Sequence, residues 1–161
     1  AICKKLKTFK PGDQVFGLST FNFGTHAEYV CVKEEKAITL KPNKRSYEQA
    51  AAVCDGAFLA YANLKKIDFT KPKKILVNGA SGSIGSSTVQ LLKHFGADIT
   101  AVCNTKTLDL VRSLGANKVI DYTKEDFTQC GELFDVVFDS VGHSSIGYYN
   151  PILKPKGIYI S

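Results

Sequence analysis

Twenty residues, Lys73 to Leu92, constrain the fold more than any other stretch. Ile75-Leu76-Val77 is a short apolar run, largely β-branched, that follows Lys73 and Lys74 and has the pattern of a buried strand. Val89, Leu91, Leu92 and Phe95 recur on roughly one side of a helix. Between them, Gly79-Ala80-Ser81-Gly82-Ser83-Ile84-Gly85 reads as a glycine-rich turn. Such a turn lets the backbone approach a pyrophosphate, and the helix after it offers unpaired N–H groups and the positive end of its dipole to an anion. The strand–turn–helix order therefore predicts a phosphate cradle. The strict G-x-G-x-x-G spacing is not met, because Ala80 stands at the place of the first glycine.

Beyond the cradle, strands and helices alternate. Gly96 ends the helix, and Ala97 to Cys103 is a second strand candidate. A helix from Leu108 to Leu114 ends at Gly115, Lys118 to Asp121 is a short strand, and Phe134 to Asp139 is a fully buried one by its β-branched and aromatic content. Gly157 to Ser161 is the last strand, the fifth counted from Ile75. Continuous apolar strands joined by helices specify a parallel sheet with helices on both faces, and right-handed crossovers make it doubly wound. One further strand is expected after the last.

Residues 1–42 have a different texture. Phe9 to Asp13 is a turn, and Gln14 to Leu18, Gly24 to Val32 and Ile38 to Leu40 read as strands. So few residues with so few large apolar groups do not easily build a core, so this segment is expected to be the back half of a β domain. After Pro42, Ser46 and Gln49 form a capping box that opens a helix. Gly56 is expected to interrupt it, with a second helix from Ala57 to Leu64.

Composition narrows the classes. With 44% hydrophobic and 22% charged residues among 161, the chain is globular. No apolar run approaches the roughly 18 residues of a membrane span, and the first residues lack the apolar core of a secretory signal. The five cysteines (Cys3, Cys31, Cys54, Cys103, Cys130) form no C-x-x-C pair, which argues against a disulfide framework and a structural zinc site. Reduced thiols fit the cytoplasm or an organelle matrix. The net charge of +6 is spread along the chain, and its longest basic cluster, Lys71 to Lys74, leads into a strand. This argues against nucleic acid as a partner.

Several motifs in order resemble the medium-chain dehydrogenase/reductase superfamily. They are Gly12 to Gly17, Gly24 to Val30, Glu48 to Val53, the glycine turn, Leu114 to Tyr122 and Phe134 to Gly142. They look most like its zinc-independent quinone oxidoreductase branch. The resemblance implies that residues 1–42 are the end of a GroES-like catalytic domain. It implies that residues 43–161 are a Rossmann domain binding NADP(H), with the last strand absent. Ser81, Gly82, Ser83, Ile84 and Gly85 are expected at the pyrophosphate, and Val141 and Gly142 near the nicotinamide. An NAD site would place an acidic residue at the end of the second strand, where this chain has Asn104, Thr105 and Lys106. NADP(H) is favoured there, and Tyr122 matches a family position beside the 2′-phosphate.

Two departures bear on chemistry. The family's Gly-x-x-Thr-Ala is Gly56-Ala57-Phe58-Leu59-Ala60 here, so a hydroxyl expected near the nicotinamide is missing at Leu59. His26 reads as a strand histidine, and Asp55 stands where zinc-dependent relatives carry a cysteine, so no metal is expected. The implied reaction is hydride transfer from NADPH to a quinone or an α,β-unsaturated carbonyl compound. A zinc-dependent alcohol dehydrogenase and a non-catalytic NADPH-binding protein remain the alternatives. No catalytic triad or paired carboxylates are visible, and neither Cys103 nor Tyr148 and Tyr149 can be given an acid–base role from sequence. The chain is expected to begin in mid-domain, to be inactive alone and to form homo-oligomers through exposed apolar surface.

Overall fold

Strand β3 (Lys74–Asn78) lies at the centre of a five-stranded parallel sheet, between β4 (Asp98–Cys103) and β6 (Phe134–Asp139). The computed structural model describes residues 8–19, 24–71, 73–142 and 145–161. Outside these neighbours lie β5 (Lys118–Asp121) and β7 (Leu153–Ile160), giving the order β5-β4-β3-β6-β7. That order reverses direction at β3, which is the doubly wound arrangement expected from the strand–helix alternation and the Rossmann one that the resemblance implies. With paired strands on both sides, Ile75, Leu76 and Val77 are fully buried, so an unbroken apolar run suits this position.

The pleat sends alternate residues to opposite faces. Ile75 and Val77 join Ile99, Ala101, Val136 and Phe138 on one face, packed with Val89 and Leu92 of α2 (Ser83–His94) and Val111 of α3 (Leu108–Ser113). Leu76 and Val102 face the other way with Val137, Phe127, Ile152 and Tyr149 of α4 (Ile146–Tyr149). In α2 the buried positions Gly85, Thr88, Val89 and Leu92 follow the three-four spacing of one helical face. The helix ends in a Schellman motif around Gly96 (φ +73°), with the Ala97 N–H donating to Leu92 O at 3.1 Å and the Gly96 N–H to Lys93 O at 3.2 Å.

The chain divides into two compact units, Ala1–Asp55 and Gly56–Ser161, and the division falls inside helix α1 (Tyr47–Leu64). In the first unit β1 (Val15–Gly17) pairs antiparallel with β2 (Ile38–Leu40). The turn before β1 is closed by the Asp13 N–H on Lys10 O at 3.1 Å. The capping box forms as expected: Gln49 N–H donates to Ser46 Oγ and Ser46 N–H to Gln49 Oε1, both at 3.2 Å. No helix among the described residues is long and apolar enough to cross a membrane.

Three expectations need correction. Residues 24–32 are not a strand: β1 and β2 pair directly with each other, no ladder partner serves this segment among the described residues, and Tyr29 is 86% exposed. His26 accordingly lies on an exposed bend. Helix α1 runs through Gly56 without interruption, because the missing side chain is a packing requirement there. A β-carbon at Gly56 would lie 2.6 Å from the Ser83 carbonyl oxygen. Strand β7 begins at Leu153, ahead of the expected Gly157; its register jumps from Phe134↔Leu153 to Val136↔Ile158 across Lys156 (φ 64°), and that irregularity hid the strand's start.

At the amino ends of the strands, Glu132 accepts Lys74 at 2.5 Å and Lys118 at 2.7 Å. The Lys118 and Lys74 ammonium groups hold its carboxyl at a pKa of about 2, below the ordinary 4.5.

Two predictions follow from these contacts. Gly56→Ala gains about 1 kcal/mol of helix propensity but forces a shift against the Ser83 backbone that costs about 1–3 kcal/mol. Chemical denaturation should show net destabilisation. The Glu132 contribution is complete above pH 4.5 and is lost as pH falls towards 2, since the folded-state carboxyl titrates lower than the unfolded one. Glu132→Gln should therefore cost about 1 kcal/mol at pH 7, and the two stability curves should converge near pH 2.

Candidate functional site

Parallel pairing puts the carboxyl ends of β3, β4, β5 and β6 along one sheet edge, with Asn78 opposite both Val102 and Asp139, and Cys103 opposite Asp121. The segments after these strands are therefore neighbours. They carry all the site residues expected from sequence: 81–85 after β3, 104–106 after β4, Tyr122 after β5, and Val141 with Gly142 after β6.

The three glycines of the turn differ in what requires them. Gly79 adopts φ +76°, and a β-carbon there would meet Ser140 Oγ at 2.6 Å and Val141 Cγ2 at 2.7 Å. It makes the tight turn that the sequence reading sought at position 80, where Ala80 is instead buried with its N–H on Val102 O at 3.0 Å. The turn's glycines are thus 79, 82 and 85, spaced three and three, so Gly79 and not position 80 is the first glycine of the motif. Gly85 packs on the preceding backbone: a β-carbon would collide with Gly79 O and lie 2.8 Å from Ala80 Cα. Gly82 is different. Its φ of −75° and ψ of 173° suit any residue, and the nearest atom to an added β-carbon is Gly79 O at 3.5 Å, an ordinary contact.

Gly82 is the N-cap of α2, and no side chain among the described residues caps the helix. The N–H groups of Ser83, Ile84 and Gly85 have no acceptor within the helix, whose first backbone bond there is Ser86 N–H to Gly82 O at 2.8 Å. Serine or asparagine at the cap would satisfy one of them. The Ile84 side chain packs against the core, so only its backbone is available to a ligand.

At the end of β4, Asn104 caps a single 3₁₀ turn (Thr105–Thr107), its Oδ1 accepting from Lys106 N–H at 3.0 Å. Thr105 donates its hydroxyl to Asp121, which also accepts from the Thr123 hydroxyl at 2.7 Å and the Thr123 N–H at 3.0 Å. The Thr105 hydroxyl, then that of Thr123, holds the Asp121 carboxyl below its usual range. The sequence reading looked for an acid only at the end of the second strand, whereas β4–β5 register brings one from the next strand. Thr105 is thereby committed to Asp121. The exposed Lys106 has no ion-pair partner among the described residues, and Tyr122 is 56% exposed.

At the end of β6, Asp139 is 2% exposed. Its Oδ1 accepts from Asn78 Nδ2 at 3.1 Å, Val141 N–H at 3.0 Å and Gly142 N–H at 3.4 Å, and its Oδ2 from the Tyr159 hydroxyl at 3.3 Å. Ser140 Oγ donates to Asn78 O at 2.7 Å and Gly79 O at 3.1 Å. The Val141 side chain is exposed beside this anchor, outside both core clusters. Asn78, Asp139 and Ser140 escaped the sequence reading because strand-end polar residues carry no signature without the register. Among the described residues, no three His, Cys, Asp or Glu side chains come close enough to hold a metal ion.

A family model described as zinc-binding dehydrogenase matches residues 83–160. Over 147 residues, 86% of this chain, it is 44% identical to 2-methylene-furan-3-one reductase of Solanum lycopersicum. Over 146 residues it is 40% identical to a chloroplastic NADPH-dependent alkenal/one oxidoreductase of Arabidopsis thaliana. The quinone oxidoreductase of Coxiella burnetii superposes on 98% of the chain with a TM-score of 0.88 at 27% identity. The chain belongs to the medium-chain dehydrogenase/reductase superfamily. Within that superfamily it is quinone-oxidoreductase-like, in keeping with the resemblance carried by its ordered motifs. The chain spans 38% of each of these two curated relatives and 50% of the Coxiella burnetii chain.

Proposed function

We propose that this chain carries the NADP(H)-binding part of a reductase acting on α,β-unsaturated carbonyl compounds or quinones. One observation carries the reading: Gly82 lacks a side chain although no described residue needs the space, at the cap of a helix whose first N–H groups find no acceptor among the described residues. A pyrophosphate in that place explains both facts. The names of the two plant relatives, a furanone reductase and an NADPH-dependent alkenal/one oxidoreductase, support the substrate class and the cofactor.

In this reading the N–H groups of Ser83, Ile84 and Gly85, with Ser81, hold the pyrophosphate. Asn104, Lys106 and Tyr122 hold the 2′-phosphate, with Thr105 orienting the loop through Asp121 instead of donating to the ligand. Val141 and Gly142 flank the nicotinamide. When bound, NADPH would supply a hydride to the β-carbon of an enone or to a quinone, with a proton completing the reduction and NADP⁺ left behind. The chain's part is to orient the ring and keep water from it. Residues 1–42 belong to a GroES-like catalytic domain and 43–161 to the Rossmann domain. The protein works as a homo-oligomer in the cytoplasm or an organelle matrix. The thiols of Cys31, Cys54, Cys103 and Cys130 are free, in keeping with a reducing compartment.

Calorimetric titration with NADPH tests the cradle. Gly82→Val should keep its thermal unfolding midpoint close to that of the parent, as nothing of the protein's own is displaced. It should lose NADPH affinity by more than tenfold, the cost of about 1.4 kcal/mol or more in blocked backbone contacts. Unchanged affinity removes the assignment.

Selectivity tests the second-strand loop. Lys106→Ala should weaken NADPH binding and spare NADH, with the difference shrinking as salt screens the exposed charge. Asn104→Asp keeps an acceptor for the Lys106 N–H and so preserves the turn. It should nonetheless move the NADPH-to-NADH preference towards NADH by about 1–3 kcal/mol. A parent that binds both cofactors equally would overturn the NADP(H) assignment.

A further inference from the structure

Asp139 is a buried carboxylate that no cation pairs with among the described residues, held by an amide, a phenol and two backbone N–H groups. An apolar residue would be cheaper to bury at this point. What the carboxylate achieves is geometric: one oxygen collects the N–H groups of Val141 and Gly142 and the Asn78 amide, which draws the loop after β6 onto the end of β3. Ser140 repeats the fastening from the other side, its hydroxyl reaching the carbonyls of Asn78 and Gly79. Gly79 opens the pyrophosphate turn, and its lack of a side chain is what admits Ser140 and Val141 so closely.

We infer that Asp139, with Ser140, is a positioning residue that fixes the nicotinamide-side loop 140–142 relative to the pyrophosphate turn. This rests on the dinucleotide reading above. The carboxylate touches neither ligand nor reacting atom; it acts through the backbone of Val141 and Gly142. Its effect is therefore confined to the half of the dinucleotide that the loop flanks, and the adenosine half, bound by the turn and by residues 104–106 and 122, is untouched.

The experiment separates the two halves. NADPH and adenosine 2′,5′-bisphosphate, which lacks the nicotinamide, are titrated calorimetrically into the parent, Asp139→Leu, Asp139→Asn and Ser140→Ala. Asp139→Leu should lose about tenfold in NADPH affinity, the scale of one hydrogen bond's positioning, with bisphosphate affinity unchanged. Asp139→Asn should recover most of the loss, since its amide oxygen accepts the same N–H donors and its NH₂ faces the Tyr159 oxygen, which can accept. If Asp139→Leu does not fold, Ser140→Ala decides, with a selective loss of about threefold or more. Equal losses for both probes, or no loss for NADPH, overturn the positioning role while leaving the cradle intact. A parent that binds neither probe overturns the dinucleotide reading and the positioning role with it.

Discussion

Helix α2 rests on the end of β3 with no side chain between Gly85 and the Gly79 carbonyl. That backbone-on-backbone contact sets the position of the helix start, and α1 reinforces it where Gly56 meets the Ser83 carbonyl. Interiors packed at crystal density have no room for even one added carbon at such a contact. The open N–H groups of the first turn are thus held at the sheet edge where the segments after β3, β4, β5 and β6 converge. A side chain at Gly56 or Gly85 would lift that turn away from the edge. At Gly82 it would fill the space in front of it.

The same edge shows how anions are kept beside a proposed anion site. Asp121 and Asp139 are both buried, and both are surrounded chiefly by neutral donors: threonine hydroxyls for the first, an amide, a phenol and backbone N–H groups for the second. Such donors stabilise a carboxylate without using a cation. Lys106 stays exposed with no ion-pair partner among the described residues, and Lys124, at 3.8 Å from Asp121, is only a loose companion.

Much of this was legible in the sequence because the relevant signals are local. The apolar runs of β3, β4 and β6, the Ser46–Gln49 box and the helix stops at Gly96 and Gly115 each depend on neighbours within a few residues, and each is seen in the structure. The errors lie where a distant contact overrides the local signal. Gly56 looked like a helix break because its packing partner, Ser83, is far away in sequence. Residues 24–32 read as a strand yet find no ladder partner among the described residues. Likewise, the glycine turn was visible as a motif, but the polar network of Asn78, Asp121 and Asp139 exists only once strand register brings it together.

The two ends of the sheet are held by different chemistry, and this separates stability from binding. The amino ends carry ion pairs, Lys74 and Lys118 on Glu132 and Lys154 on Asp135 at 2.9 Å, which are partly solvated and weaken in acid or salt. The carboxyl ends carry buried hydrogen bonds between mostly neutral donors and two carboxylates, which salt screens little. Rising salt should therefore loosen the base of the sheet while leaving the geometry of the 79–85 turn and the 140–142 loop in place. A salt-dependent loss of affinity then reports on the exposed Lys106 and the ligand's own charge. It reports little on the scaffold, because the one exposed ion pair at this edge among the described residues, Lys124 with Asp121 at 3.8 Å, is loose, and the Asp121 carboxylate is held chiefly by hydroxyl and N–H donors.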